Sequence, residues 1–107
     1  MSHLVTLTVP CPDKKTAVGL GHVAVGARLA ACANVIDGVT SVFHWQGKVE
    51  EESEVLLVLK TRDGCVAALA RLLSERHPYD QPAITWDHCQ ADPETSAWIN
   101  AETAAPR

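Results

Sequence analysis

Residues 48–61 read Lys48-Val49-Glu50-Glu51-Glu52-Ser53-Glu54-Val55-Leu56-Leu57-Val58-Leu59-Lys60-Thr61. The run is one long strand with two unlike halves. Its first half is acidic and polar; its second, Val55 to Leu59, is continuously apolar. Successive side chains of a strand point to opposite faces. Val55, Leu57 and Leu59 therefore point one way, and Leu56 and Val58 the other. A strand with one wet face alternates apolar with polar residues, so this run predicts a sheet that needs cover on both faces.

The neighbouring segments supply the rest of the sheet. Gln46-Gly47 reads as a hairpin turn into the long strand, and Ala33 to Phe43 as its partner, broken at Asp37-Gly38 by a turn or bulge. Leu4 to Val9 alternates apolar residues with Thr and is the first strand, which Pro10 and Pro12 are expected to end. Asp13 is a candidate N-cap. After it Ala17, Leu20, Ala24, Ala27 and Ala31 recur at helical spacing, predicting a helix from about residue 13 to about 31. Gly19, Gly21 and Gly26 each weaken that helix by up to ~1 kcal/mol relative to Ala. They read as small residues that let a helix lie close to a sheet. Gly19-Leu20-Gly21 lacks the strand–loop context of a dinucleotide fingerprint.

Beyond the long strand, Asp63 is expected to cap a second helix whose apolar face is Val66, Leu69, Ala70 and Leu73. Pro78 ends it near His77, because the residue before a proline disfavours helix. Ala83 to Cys89 reads as the last strand. Asp92 and Pro93 open a terminal helix as N-cap and first residue, anchored by Trp98 and Ile99, and residues 104–107 read as a frayed tail.

The order β-α-β-β-α-β plus a C-terminal helix predicts an α+β fold of the ferredoxin-like arrangement. Four antiparallel strands carry both long helices on one face. Leu56 and Val58, joined by Val35 and Val42 according to register, are left on the other. Contiguous apolar surface of this kind marks an interaction site, and each large aliphatic buried is worth ~1.5–3 kcal/mol. Association is therefore expected.

The chain has 107 residues, one domain over 1–107 by length. Nine Lys and Arg stand against thirteen Asp and Glu, a formal charge of −4, and the basic residues are scattered. No basic stripe argues for a nucleic-acid or anionic-membrane partner, and no apolar stretch approaches a membrane span. The four cysteines, Cys11, Cys32, Cys65 and Cys89, form no Cys-x-x-Cys pair. Met1-Ser2-His3 leads into the first strand with no basic start or long apolar region, so a cytoplasmic protein with free thiols is expected. No Gly-x-Ser-x-Gly, His-Glu-x-x-His or phosphate-loop pattern is present, and the expectation is a protein that is not an enzyme.

A longer pattern runs through the chain. Leu29-Ala30-Ala31-Cys32-Ala33-Asn34-Val35-Ile36, Gly38-Val39-Thr40-Ser41, Trp45-Gln46-Gly47-Lys48, Glu50 to Val55, Leu59-Lys60-Thr61, His77-Pro78-Tyr79 and Pro82 follow in the order and spacing of the CutA family. The sequence resembles these small divalent-cation tolerance proteins over roughly residues 4 to 100. The resemblance implies a ferredoxin-like subunit in a tight homotrimer, a bound divalent cation such as copper, and kinship of shape with the trimeric PII signalling proteins. It also implies clefts between subunits, lined by the Trp-x-Gly-Lys hairpin, the acidic strand and the His-Pro-Tyr segment. The chain departs from the family at His44-Trp45, often two aromatics, and at Arg76, often a second His. Trp86-Asp87-His88-Cys89 replaces an apolar residue and a proline, and Ser96-Ala97 replaces Tyr-Leu.

Candidate sites follow from residue chemistry. Cys11, after the first strand, and His77, at the end of the second helix, are the metal candidates, because thiol and imidazole suit copper. Trp45, Lys60 and Tyr79, with Glu54 of the acidic strand, are the ligand-pocket candidates: an aromatic face, an ammonium and a phenol suit a small anionic ligand. Glu50, Glu52 and Glu54 share a strand face and read as a solvated arm or hard-cation ligands. Asp87 and Cys89 share a face that His88 does not. Three functions are expected in order: a trimeric copper-binding or tolerance protein, a PII-like sensor of a small ligand in inter-subunit clefts, or a structural assembly trimer.

Overall fold

The computed structural model describes residues 3–103; the tail expected at 104–107 lies outside the described residues. The elements are β1 (Leu4–Cys11), α1 (Lys14–Gly26), β2 (Cys32–Trp45), β3 (Lys48–Arg62), α2 (Asp63–Arg76), β4 (Thr85–Cys89) and α3 (Pro93–Glu102). The sheet order is β2-β3-β1-β4, with every neighbouring pair antiparallel. This is the α+β, ferredoxin-like arrangement expected.

β1 and β3 form the spine, in register from Leu4 opposite Arg62 to Cys11 opposite Val55. Alternation then sends Val5, Leu7, Val9, Leu57 and Leu59, all fully buried, to one face. There they meet Ala17, Leu20 and Ala24 of α1 and Leu69 and Leu73 of α2. β1 does not stop at Pro10. β4 ends its pairing with Thr85 opposite Thr8, so beyond Thr8 that side of β1 is bare and the missing proline N–H costs no ladder bond.

The hairpin forms as its sequence dictates. Gln46 and Gly47 both take left-handed φ, 49° and 79°, the pairing a tight type I′ turn needs. Ile36 faces Leu56 while Val39 faces Glu54, so Asp37 and Gly38 together oppose Val55. Gly38, at φ 76°, makes that bulge without a side-chain clash.

α1 ends at Gly26 rather than near residue 31. Arg28 takes φ 61°; its N–H bonds Val25 O at 3.0 Å, and the Leu29 N–H bonds Ala24 O at 3.1 Å. That pair of bonds is the Schellman stop, normally built on glycine. Buried Leu29 packs in the same core as Ala24 and holds Arg28 in place. Ala30 and Ala31 are buried as a connector, which explains their helix-like apolar pattern. Asp63 is the first residue of α2, not its cap: Arg62 holds the cap position with no side-chain bond to the helix. β4 begins at Thr85, not Ala83.

α3 shields only one end of the open sheet face, where Ile99 packs with Leu4 and Ala31. Trp98, expected as an anchor, stays half exposed. The helix end is held instead by Arg62, whose Nη2 and Nε donate to the Thr103 carbonyl at 2.6 and 2.9 Å. A cation there suits the orphan carbonyls and the negative helix terminus. The rest of that face is open: Ile36, Leu56 and Pro10 form one cross-strand row, and Asn34, Val58 and Thr8 the next. Past the bulge, β2 and β3 continue as an arm that stretches the subunit to 44 × 26 × 23 Å. Val42 (66% exposed), Val49 (69%) and Trp45 (52%) stand on it.

The glycines of α1 differ in purpose. A Cβ on Gly21 would lie 2.9 Å from the Ala33 Cβ, whereas one on Gly19 meets nothing within 4 Å. Gly19→Ala is expected to stabilise the subunit by up to ~1 kcal/mol, the helix-propensity gain. Gly21→Ala is expected to destabilise it, because Ala33 can yield only if α1 lifts from the sheet. Urea denaturation of the two variants checks this.

Candidate functional site

The densest polar cluster grows from the bare side of β1. The Pro10 carbonyl points there, and His77 Nε2 meets it at 2.8 Å. His77 arrives because Pro78 stops α2: the residue adopts extended backbone as C-cap, and its own N–H bonds Leu73 O. The Tyr79 backbone N–H donates to His77 Nδ1 at 3.1 Å. An Nδ1 that accepts leaves Nε2 as the protonated donor, so the ring is neutral and held in one tautomer. The two rings lie 4.7 Å apart.

The Tyr79 hydroxyl donates to Glu54 Oε2 at 2.9 Å. Glu54 is the one glutamate of the acidic half of β3 that is buried. Burial, then the accepting Glu54 carboxylate, push the phenol up to about 12. Cys11 lies in the same region, fully buried, its thiol 3.9 Å from the Val9 carbonyl. Burial first, then the charges of Asp13 and Glu54, push the thiol up to about 11. Beside Glu54 the bulge opens a shallow cleft of about 230 Å³, lined by Pro12, Gly38, Val39, Ser53 and Val55 among others.

This geometry gives Cys11 and His77 no shared lone pair for a metal. A ligating thiol must be deprotonated and a ligating imidazole needs a free nitrogen. Here the thiol is held protonated, and both nitrogens of His77 are engaged. Among the described residues, no three His, Cys, Asp or Glu side chains converge on a point where an ion would sit. The donor set of this corner does not fit a divalent cation within one subunit. Arg76 is exposed on the last turn of α2.

The four pocket candidates divide. Glu54 and Tyr79 are bonded to each other. Trp45 lies opposite Lys48 at the arm's tip, about 20 Å along β3 from Glu54 at the strand rise of roughly 3.3 Å per residue. Lys60 lies about as far the other way by the same rise, on the open face between Cys32 and Thr6. One subunit cannot close these four around a ligand. Asp87 and Cys89 do share one face of β4, opposite Thr6 and Leu4, and Cys89 packs with Leu4 and Ile99. The Pro10 carbonyl and the cleft at Gly38 escaped the sequence reading. Asp37-Gly38 was the available signal, as a bulge opposite an acidic strand.

The chain matches the protein family described as CutA1 divalent ion tolerance protein over residues 5–102. It is 38% identical to Protein CutA of Mus musculus over 96 residues, 89% of this chain and 54% of that protein. It is 37% identical to the divalent-cation tolerance protein CutA of Escherichia coli K12 over 103 residues, 94% of this chain and 92% of that one. The chain thus spans about half the length of the mouse relative and nearly all of the bacterial one. The crystal structure of CutA from Xylella fastidiosa superposes with a TM-score of 0.91 at 35% identity, covering 96% of this chain and 100% of that chain.

Tyr79 is the only tyrosine, so absorbance at 295 nm titrates it alone. Native protein is expected to ionise near pH 12 and unfolded protein near 10. The fold binds the phenolic proton more tightly, so this contribution to stability is complete below pH 10 and is lost as pH rises toward 12. Tyr79→Phe leaves Glu54 short of a donor and is expected to cost about 1–3 kcal/mol, read by urea denaturation at neutral pH.

Proposed function

We propose that this chain, which belongs to the CutA1 divalent ion tolerance family, acts as a homotrimer in tolerance of divalent cations, copper foremost. The observation that carries the reading is the uncovered half of the molecule. The row Ile36–Leu56–Pro10 and the neighbouring Val58 lie on the sheet face that carries no long helix, and past the bulge the arm shows Trp45 on that side and Val42 and Val49 on the other; contiguous apolar surface of this kind marks an interaction site. The two long helices lie on the other face, and α3 reaches only one end of this one. Further copies of the same subunit are the cover that the family resemblance implies.

In that assembly the functional surface lies between subunits. Trp45 on one arm and Lys60 on another sheet join a neighbour's Glu54–Tyr79 pair, which they cannot reach within one chain. The Cys11–His77 corner serves as the neutral, rigid wall of the cleft, and no step is derived through a metal there. The role is binding rather than catalysis. A cytoplasmic setting fits the four unpaired cysteines, and no helix of the described residues is long and apolar enough to cross a membrane. A PII-like sensor of a small ligand is the second reading, favoured by the cleft of about 230 Å³ beside Glu54.

Sedimentation equilibrium tests the assembly. The expected mass is close to three times the 11.5 kDa subunit, and Val58→Asp is expected to lower it by placing a charge in the buried face. A wild-type mass of one subunit would overturn the reading. Tolerance has its own test: expression in a bacterium lacking its own relative is expected to restore growth in elevated copper. No rescue against copper or any other divalent metal would sink it.

A further inference from the structure

We propose that the corner where β1 begins and β4 ends is a two-histidine site for a borderline divalent cation such as zinc, with His3 and His88 as ligands and Asp63 as the residue that orients them. The ligand class agrees with the family reading above, but the residues are different and far simpler to reach. His3 precedes the residues that match the family, 5–102. His88 sits in the Trp86-Asp87-His88-Cys89 segment, where the chain departs from the family pattern.

Asp63 organises the corner. Its backbone N–H donates to the His3 carbonyl at 2.9 Å. Its Oδ2 accepts from the His3 backbone N–H at 3.3 Å, and its Oδ1 lies 3.0 Å from His88 Nε2. One carboxylate thus joins the start of β1, the start of α2 and the end of β4. A carboxylate oxygen only accepts, so His88 Nε2 carries the proton of that bond. In the neutral ring Nδ1 then keeps its lone pair free. A histidine whose far N–H is held by a carboxylate is the usual setting of a metal-bound imidazole, since the carboxylate fixes tautomer and direction and raises ligand basicity.

The second ligand is already alongside. The His3 ring stacks on the His88 ring with centroids 4.4 Å apart and planes within 14°. Imidazole lone pairs lie in the ring plane, so parallel rings cannot both aim at one ion; the His3 ring must tilt. The tilt gives up the stacking contact: among the described residues no hydrogen bond is made by its ring, and the residue is exposed. Zinc takes imidazole nitrogens at about 2.0–2.1 Å and completes its tetrahedron with water, which this open corner supplies. Imidazole donors select zinc, copper and nickel over magnesium and calcium. The contrast with His77 is direct, because both nitrogens of that ring are spent on Pro10 and Tyr79.

The test is a zinc titration of the full chain by calorimetry after chelator treatment, with side-chain nitrogen spectra of the histidines. One zinc per subunit is expected, with His88 Nδ1 and a His3 nitrogen shifting on binding. His88→Gln and His3→Gln are each expected to weaken binding at least tenfold. His22→Gln, at an exposed histidine of α1, is expected to leave it unchanged, and Asp63→Asn to weaken it less than either ligand change. Both ligand positions are exposed, and unchanged circular dichroism confirms that the variants fold. Undiminished affinity in both ligand variants would overturn the site. So would no binding tighter than millimolar, or an equal loss in His22→Gln. The sedimentation mass is read independently, so failure here is distinct from failure of the trimer.

Discussion

The register of β1 against β3 is the constraint on which the rest of the subunit depends. Leu7 opposite Leu59 and Val9 opposite Leu57 put four large apolar side chains on the helix side of the central pair. A slip of β1 by one residue would send Leu7 and Val9 to the other face and bring Thr6 and Thr8 into the core. The same register decides what lies outside. Pro10, Leu56 and Val58 fall on the open face because their neighbours fall on the closed one. Core and partner surface are two readings of one alternation.

Much of this was legible in the residues. Uninterrupted Val55 to Leu59 announced a strand in demand on both faces, Gln46-Gly47 the hairpin, Asp37-Gly38 the bulge, and Asp92-Pro93 the start of α3. The misses have identifiable causes. Ala27 to Ala31 kept helical spacing although the helix had ended, because a buried connector needs the same small apolar residues. The stop itself rests on Arg28 in a conformation that glycine usually supplies, so no sequence signal marked it. Asp63 had the right chemistry for a cap, but its carboxylate is claimed by His3 and His88, partners distant in sequence.

The candidate site was legible in its parts and not in its arrangement. Tyr79 and Glu54 both carry pocket chemistry in the sequence, and they do meet. Trp45 and Lys60 carry matching chemistry, but strand geometry sets each about 20 Å from Glu54 at roughly 3.3 Å per residue. His77 carried the right ring for a metal, but a proline carbonyl and a backbone N–H engage it. Sequence spacing gives residue types; lone pairs are allocated by main-chain groups that carry no side-chain signature.

Arg62 has a consequence of another kind. It stands opposite Leu4 in the sheet and grips the Thr103 carbonyl. One residue therefore ties the start of β1, through the sheet ladder, to the end of α3, through its side chain. Residues 4 and 103, brought near each other through Arg62, offer two points that a designed linker could join. A short linker across Arg62, with new ends cut at Gln46-Gly47, would keep β1, β3 and both long helices intact while turning the arm into two free strands. Such a molecule would separate, in one step, what the body of the subunit does from what its arm does.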